Sequence, residues 1–195
     1  MRYLYKKYIF TILYLAVVFF LVKPTVVYSE VFSVPKGTYI QFKYQIAFVE
    51  VEGKFIIENS FFNLDKKEPE NSDFNLTFDL KKSSAGFPFA TQVMLGKSVL
   101  FAEKYPLMVF KSKEIKFANG QFEILGELMI KGITQVIKLL AEPIAFDPKA
   151  LEPESEFDFK ISARINRNDF NAGAFSGIVS DRIFLNSRLK LERIR

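Results

Sequence analysis

The stretch Lys104-Tyr105-Pro106-Leu107-Met108-Val109-Phe110-Lys111-Ser112 opens the segment of this chain that says most about its fold. A run from Met108 to Phe117 is followed by Asn119-Gly120 and then by a second run from Phe122 to Ile130. Asn-Gly suits a type I′ hairpin turn, because both residues tolerate a positive φ. The segment is therefore predicted to form two antiparallel strands joined by a tight turn.

Alternating apolar and polar residues predict further strands on both sides of this hairpin. About eight one-sided strands with few helices must either stack as two sheets or close into a barrel, and closure removes the exposed edges. We predict an all-β fold, a single antiparallel up-and-down (lipocalin-like) β-barrel of about eight strands. The alternating inward positions outside the hairpin are Ile40, Phe42, Tyr44, Ile46, Phe48, Val51, Gly53, Phe55, Ile57, Phe74, Leu76, Phe78, Leu80, Phe157, Phe159, Ile161, Ala163, Ile165, Ile183, Leu185, Ser187, Leu189 and Leu191.

The segments between these strands are predicted to be turns and loops, with little helix. Lys131-Gly132-Ile133-Thr134 is expected to reverse the chain after the first hairpin. Only Gln92 to Glu103 has the composition of a helix, and it is expected to form one or two short turns. Long connections are predicted at residues 61–72, 82–90, 147–155 and 171–181.

Residues 1–29 are typical of a secretory signal peptide. Arg2, Lys6 and Lys7 form a basic start, Tyr8 to Val22 is an uninterrupted apolar run, and Val27-Tyr28-Ser29 offers small residues for cleavage. The apolar run is shorter than the roughly 20 residues a helix needs to cross a bilayer. We expect export to the periplasm with removal of the leader. Secretion, or anchoring by an uncleaved leader, are the alternatives.

Residues 30–195 are expected to form one domain with almost no net charge. The whole chain has 27 Lys and Arg against 22 Asp and Glu, but four of those cations lie in the leader, which contains no acid. The remaining 23 cations and 22 acids leave a charge of +1. Proteins that bind nucleic acid need a surplus of cations to displace counterions from phosphates. We therefore expect no nucleic-acid partner.

The chain lacks the residues of most catalytic sites. It contains no His and no Cys, which removes Ser-His-Asp and Cys-His nucleophile systems and the usual zinc ligand sets. Ser33-Val34-Pro35-Lys36 has a Ser-x-x-Lys spacing, but that chemistry needs the Ser at the start of a helix, and here a strand follows. Glu152, Glu154 and Glu156 are predicted to share one solvated strand face, whereas glycosidase carboxylates face each other across a cleft. We expect no enzymatic activity, no metal and no cofactor.

Three elements at fixed spacing identify a resemblance to a known family. The segment Lys104–Ser112 is followed by Gly126-Glu127-Leu128-Met129-Ile130-Lys131-Gly132-Ile133-Thr134 and by Asn166-Arg167-Asn168-Asp169-Phe170. Together they resemble the YceI-like family, and the resemblance extends from about Phe32 to Ile194. This family is a set of exported bacterial β-barrels that bind polyisoprenoid lipids in an apolar interior. The resemblance implies the same fold, and a polyisoprenoid or similar long-chain lipid as ligand.

The inward residues of the predicted strands are the candidates for ligand contact. The chain has 23 Phe and no Trp, and an interior rich in Phe fits a hydrocarbon that offers dispersion contacts and few hydrogen bonds. The alternative is a structural or protein-interaction module whose core is filled by its own side chains. The predicted lining residues are Ile40, Phe42, Tyr44, Phe78, Phe110, Phe122, Ile124, Phe159 and Ile161.

Arg167 and Asp169 are predicted to pair and fix a turn, with contact to a lipid headgroup at the barrel mouth as the alternative. Asn171 occupies the position where the family usually has Gly, and a left-handed turn can accept Asn. Many family members also carry His in the first long strand and before the Tyr-Pro motif, and this chain does not. An enzyme acting on a lipid through Tyr44, Arg167 or Asp169 is a less favoured hypothesis.

The expected partners are a long-chain lipid and, transiently, a membrane. The sequence leaves open whether the protein is a monomer or a homodimer.

Overall fold

A computed structural model of the chain describes residues 30–65, 68–144 and 156–194. The predicted leader at residues 1–29 and the whole of the predicted 147–155 loop, with Glu152 and Glu154, lie outside these ranges. Within them, no helix is long and apolar enough to cross a membrane. The described elements are nine strands and one α-helix: β1 (Glu30–Ser33), β2 (Tyr39–Ile46), β3 (Val49–Leu64), β4 (Asp73–Ser84), α1 (Pro88–Leu95), β5 (Leu107–Ala118), β6 (Gln121–Ile130), β7 (Ile133–Pro143), β8 (Glu156–Asn166) and β9 (Arg182–Arg193).

The strands close into a barrel in which each strand is antiparallel to its neighbours. Strands β2 to β9 pair in sequence order, and β9 returns to β2 at Phe42↔Leu185 and Lys43↔Phe184. The predicted all-β, up-and-down barrel of eight strands is therefore confirmed. Because β9 returns to β2, none of the described strands β2 to β9 is a free edge strand, which is how such folds avoid edge-to-edge association.

Strand β1 is an additional short strand that completes the wall where β2 is too short. It pairs with the end of β3 at Phe32↔Phe62 and with the end of β9 at Phe32↔Arg193. Between β1 and β2, Ser60 Oγ accepts a hydrogen bond from the Val34 amide at 2.9 Å. The Ser60 hydroxyl thus replaces a backbone partner at the junction of these two strands.

Two tight turns form at the predicted positions, and the one at Asn119-Gly120 has the predicted conformation. Asn119 and Gly120 have φ values of 54° and 78°, and Lys131 and Gly132 have 53° and 76°. Positive φ at both central residues is the mark of the type I′ hairpin turn. Both predicted reversals are confirmed, and Lys131 adopts the left-handed conformation without being Gly or Asn.

The helix and some strand ends differ from prediction. Helix α1 begins at Pro88 rather than Gln92, because Pro fits the first helical position, where no amide hydrogen bond is lost. The residues after Gly96, predicted helical to Glu103, form turns instead. Strand β3 runs through to Leu64, so the predicted loop at 61–64 was wrong, and β4 likewise continues to Ser84. Phe48, predicted to point inward, lies at the fully exposed tip of the β2–β3 turn.

The connections divide between the two ends of the barrel. One end, which we call the mouth, carries the β2–β3 turn, residues 85–106 with α1, the β6–β7 turn and residues 167–181. The far end carries residue 65, residues 68–72, the β5–β6 turn and the start of β1 at Glu30. Two short 3₁₀ helices, Pro69–Asn71 and Arg167–Phe170, lie in these connections.

Candidate functional site

The mouth half of the barrel encloses a cavity of about 400 Å³. Inward side chains of the eight strands β2 to β9 form its wall, and α1 and residues 167–181 cover it at the mouth. Six of the nine predicted lining residues contact this cavity: Ile40, Phe42, Tyr44, Phe78, Phe110 and Ile161. The volume lies in the range of ligand pockets, which is about 300 to 1,000 Å³.

A second, smaller cavity of about 80 Å³ occupies the far half of the barrel. The other three predicted residues, Phe122, Ile124 and Phe159, line this cavity and not the larger one. Rings fill much of this half: Phe122 and Phe159 are edge-to-face with centroids 5.9 Å apart. The nine predicted lining residues therefore do not share one cavity. The mouth half of the barrel is hollow, and the far half is largely packed. Four side chains contact both cavities and separate them: Leu76, Phe110, Leu139 and Ile161.

The lining of the main cavity is almost wholly apolar. Among its described lining residues, only Tyr44, Ser162 and Arg167 have polar side chains. The Tyr44 hydroxyl donates a hydrogen bond to the Ala85 carbonyl at 2.8 Å, and burial raises the pKa of Tyr44. Tyr44 is therefore a neutral, internally paired side chain at physiological pH. The cavity offers dispersion contacts and little hydrogen bonding.

Arg167 is the buried cation of the site, and its partners are not those predicted. Its guanidinium donates to four carbonyl oxygens at 2.6 to 2.9 Å, those of Ala172, Ala174, Val179 and Ser180. Its nearest carboxylate is Asp181, at 3.4 Å, and not Asp169. Desolvation lowers the pKa of Arg167, and the Asp181 carboxylate opposes that shift. The predicted Arg167–Asp169 pair is wrong: Arg167 fixes the loop, but by binding its carbonyls.

Asp169 contributes to the mouth through its backbone. Its carbonyl accepts a hydrogen bond from Gln135 Nε2 at 3.0 Å, which joins the 3₁₀ helix to β7. Lys131 Nζ donates to the Asn171 carbonyl at 2.7 Å. Asn171 has φ 57° and ψ 31°, so the left-handed conformation expected at this position is confirmed. These bonds hold the loop of residues 167–181 over one side of the cavity.

Two glycines in the wall make room for two inward Phe rings. A Cβ placed on Gly53 would lie 2.6 Å from Cε1 of Phe42, and one on Gly126 would lie 2.5 Å from Cε2 of Phe110. Each ring thus rests where a side chain would otherwise stand. Gly126 is part of the motif quoted above, but its role in seating Phe110 is visible only once strand register is known.

The mouth itself is lined by exposed apolar side chains that sequence analysis missed. Phe87, Phe89, Phe175 and Ile178 contact the cavity, yet each is more than two-fifths exposed. They lie in segments predicted to be loops, where alternation carries no information. The available signal was the number of large apolar residues in 85–90 and 174–179, which is unusual for solvated loops.

The described residues offer no metal site of ordinary composition. Within 30–65, 68–144 and 156–194, no group of three or more His, Cys, Asp or Glu side chains converges.

Solved structures with the same fold include three from bacteria. BcnA of Burkholderia cenocepacia superposes with a TM-score of 0.68 and 20% identity over 78% of this chain and 94% of its own. The YceI protein of Campylobacter jejuni gives 0.62 and 22% identity over 73% and 84%. A polyisoprenoid binding domain from Saccharophagus degradans, implicated in plant cell wall breakdown, gives 0.60 and 11% identity over 86% and 100%. At these identities the likeness concerns the fold alone.

Sequence relatives lead to a specific family. A UPF0312 protein of Photorhabdus laumondii is 25% identical over 118 residues, and this match spans 60% of each chain. A UPF0312 protein of Pectobacterium carotovorum is 24% identical over 135 residues, covering 68% of this chain and 69% of its own. The YceI-like domain matches residues 33–191, almost the whole barrel. The chain therefore belongs to the YceI-like family.

Proposed function

We propose that this protein binds one long-chain lipid, a polyisoprenoid or a similar hydrocarbon, in the main cavity and carries it within the bacterial cell envelope. The observation that carries the proposal is the cavity of about 400 Å³ with an apolar lining. Its two most polar side chains, Tyr44 and Arg167, are already paired inside the protein. The binding of polyisoprenoid by a domain with this fold from Saccharophagus degradans supports the ligand class.

The volume of the cavity limits the length of chain that it holds. A methylene group in liquid hydrocarbon occupies slightly less than the roughly 30 Å³ of a water molecule. A cavity of about 400 Å³ therefore holds roughly 13 to 15 carbon atoms, or about three isoprene units. A longer chain would extend out of the mouth, or past Phe110 into the smaller cavity. We expect the bound segment of the lipid to be of this length.

The energetics favour a carrier over a permanent store. Burial of hydrocarbon is worth about 0.8 kcal/mol per CH₂, and a lipid that leaves a bilayer gives up a similar amount. The net free energy of transfer from membrane to barrel is then close to zero, and lipid can move in either direction. The function is one of binding and exchange, without a catalytic step or a cofactor.

Location in the periplasm is part of this proposal and depends on the leader. Residues 1–29 combine a basic start, an apolar run and a small-residue cleavage site. The intact mass of protein recovered from the periplasm should equal that of a chain whose first residue is near Glu30. An intact mass that retains Met1 would indicate the anchored form.

A structural or interaction module is the second candidate. It requires an interior filled by the protein's own side chains. The far half approaches this condition, because rings such as Phe157 and Phe159 pack there with centroids 6.3 Å apart. The hollow mouth half does not, and it favours the carrier.

Native mass spectrometry of protein purified from its own host, followed by lipid extraction, tests the proposal. A bound lipid with a hydrocarbon segment of about 13 carbons or more is the expected result. If the protein is consistently free of lipid and takes up none when incubated with extracted host lipids, the carrier function is refuted. The structural module is then the supported function.

A further inference from the structure

Six exposed apolar residues lie at the mouth, and four of them line the opening of the main cavity. We call Phe48, Val49, Phe87, Phe89, Phe175 and Ile178 the apolar rim. Phe89 is 70% exposed, Ile178 60% and Phe175 55%, and Phe48 is fully exposed. Large apolar side chains exposed together on a soluble domain mark a contact surface.

Backbone contacts bring the members of the rim together from three connections. The Ala47 amide donates to the Ile178 carbonyl at 2.7 Å, which joins the β2–β3 turn to the loop of residues 167–181. On the other side, a Cβ placed on Gly86 would lie 2.6 Å from the Glu52 carbonyl oxygen, so the start of the α1 connection lies against the backbone of β3. The rim is thus one surface built by three neighbouring loops.

The rim is continuous with the lining of the cavity. Phe87, Phe89, Phe175 and Ile178 face both solvent and the cavity interior. A hydrocarbon chain leaving the cavity would pass directly over them. A protein partner or a second copy seated there would close this path, whereas a bilayer would continue it.

The net charge of the mouth indicates that its attraction to a bilayer does not depend on anionic lipid. Its four connections, residues 47–48, 85–106, 131–132 and 167–181, contain four cations and three carboxylates, a net charge of about +1. One of the cations is Arg167, which is buried and bonded to backbone carbonyls. Recognition of anionic lipid depends on clusters of Lys and Arg near the surface. The mouth has no such cluster, so apolar insertion is the main attraction.

Insertion of the rim and anchoring by an uncleaved leader are different membrane contacts, because the leader would join the barrel at the end opposite the mouth. Glu30 pairs with Leu64 at the far end of β3. The 16 residues of β3, at about 3.3 Å each and tilted by about 40°, make the wall about 40 Å tall. The seven residues 23–29 reach at most about 25 Å. An uncleaved leader in a bilayer would therefore hold the mouth away from that bilayer.

From these observations we propose that the apolar rim inserts into the surface of a phospholipid bilayer and places the cavity mouth against it, so that lipid enters and leaves without crossing water. The inference rests on the proposed lipid-carrier function and adds the surface, the partner and the orientation. It requires the mature chain, without a retained leader.

The absence of Trp from the chain makes a direct test possible, because one introduced Trp is then the sole reporter. We would compare Phe89→Trp at the rim with Phe61→Trp, which replaces a 40% exposed Phe of β3 toward the far end. The probe is unilamellar phosphatidylcholine vesicles, with and without brominated acyl chains. Emission of Phe89→Trp should shift to shorter wavelength and be quenched by the brominated lipid, while Phe61→Trp should change little.

Binding measurements then test the origin of the attraction. The double variant Phe89→Ser/Phe175→Ser should bind these vesicles at least about tenfold more weakly, and Phe61→Ser should bind as the parent does. Adding one-fifth phosphatidylglycerol, or raising NaCl from about 0.05 to 0.5 M, should change the affinity less than about threefold. A strong requirement for anionic lipid would overturn the inference of apolar insertion.

The remaining outcomes separate this inference from the proposed function. In one outcome, native mass spectrometry shows bound lipid while the emission of Phe89→Trp does not change when vesicles are added. That result would refute insertion of the rim and would leave the carrier function standing. If Trp at position 89 inserts into vesicles but the protein never contains bound lipid, the carrier function is refuted and insertion of the rim is supported. A shift without vesicles, accompanied by a dimer mass in light scattering, would show that a second copy covers the rim and would overturn the inference.

Discussion

Replacing Gly126 with Ala tests whether a glycine in the wall creates the main cavity. A Cβ on Gly126 would lie 2.5 Å from Cε2 of Phe110 and 2.7 Å from the Lys111 carbonyl oxygen. Carbon atoms pack at about 3.5 to 4.0 Å, so the ring must retreat by about 1 Å or more. The space available to it is the cavity that it lines. Overpacking of this kind costs about 1 to 3 kcal/mol, a fall in Tm of roughly 2 to 12 °C for a domain of this size.

Thermal unfolding of delipidated protein measures the cost, and native mass spectrometry with lipids of graded chain length measures the loss of space. Gly126→Ala should retain shorter chains than the parent. In a Phe110→Ala background the ring is absent, so the cost of Gly126→Ala should fall by at least about 0.5 kcal/mol, the lower end of coupling between residues in contact. The role of Gly126 in seating Phe110 would be refuted by two results together. The unfolding free-energy changes of Gly126→Ala and Phe110→Ala would add up to that of the double variant, and Gly126→Ala would bind the same lipid chain lengths as the parent.

Three further predictions follow from the same geometry. Phe78→Ala should weaken lipid retention and lower the stability of delipidated protein by under about 2 kcal/mol, because Phe78 lines open space; Phe157→Ala, whose buried ring packs edge-to-face against Phe32 in the far half, should cost about 3 to 5 kcal/mol in denaturant unfolding. Equal costs at both sites would contradict a hollow mouth half. Gly120→Val should lower Tm by several degrees, since a left-handed conformation costs roughly 1 to 2 kcal/mol, while Gly177→Val, at an open position with no positive φ, should not. Lipid retention should stay constant from about pH 6 to 9, since burial raises the pKa of Tyr44 above its usual value near 10, keeping it neutral; a change of more than about twofold would indicate another titrating group.

The barrel could be predicted from sequence because its signals are local. Alternation fixes which side chains point inward, and Asn119-Gly120 fixes a reversal through the φ values that both residues accept. These two features, repeated along the chain, determine a meander, and closure follows from the need to cover its edges. The start of α1 was misplaced because Pro88 was assigned to a loop rather than to the first turn of a helix.

The candidate site was predictable only in part, because much of it depends on contacts distant in sequence. Inward position was enough to place Phe42 and Phe78 at the main cavity, but not to show that Phe159 lies in the packed half. Arg167 was singled out, yet its partners are carbonyls of a loop whose path no residue type reveals. A carboxylate two residues away is the simplest partner to infer from sequence. The fold instead presents several carbonyls to one guanidinium.

The bonding of Arg167 determines which part of a lipid the protein can distinguish. Nε and both terminal nitrogens of its guanidinium donate to loop carbonyls, and the one nearby carboxylate is Asp181. An anionic headgroup could recruit this cation only by breaking bonds that hold the loop of residues 167–181 in place. The other ionisable lining group, Tyr44, is neutral and bonded to Ala85. On the proposed function, the headgroup therefore stays outside the mouth, and selection acts on the length and shape of the hydrocarbon through the volume that Phe42 and Phe110 leave open.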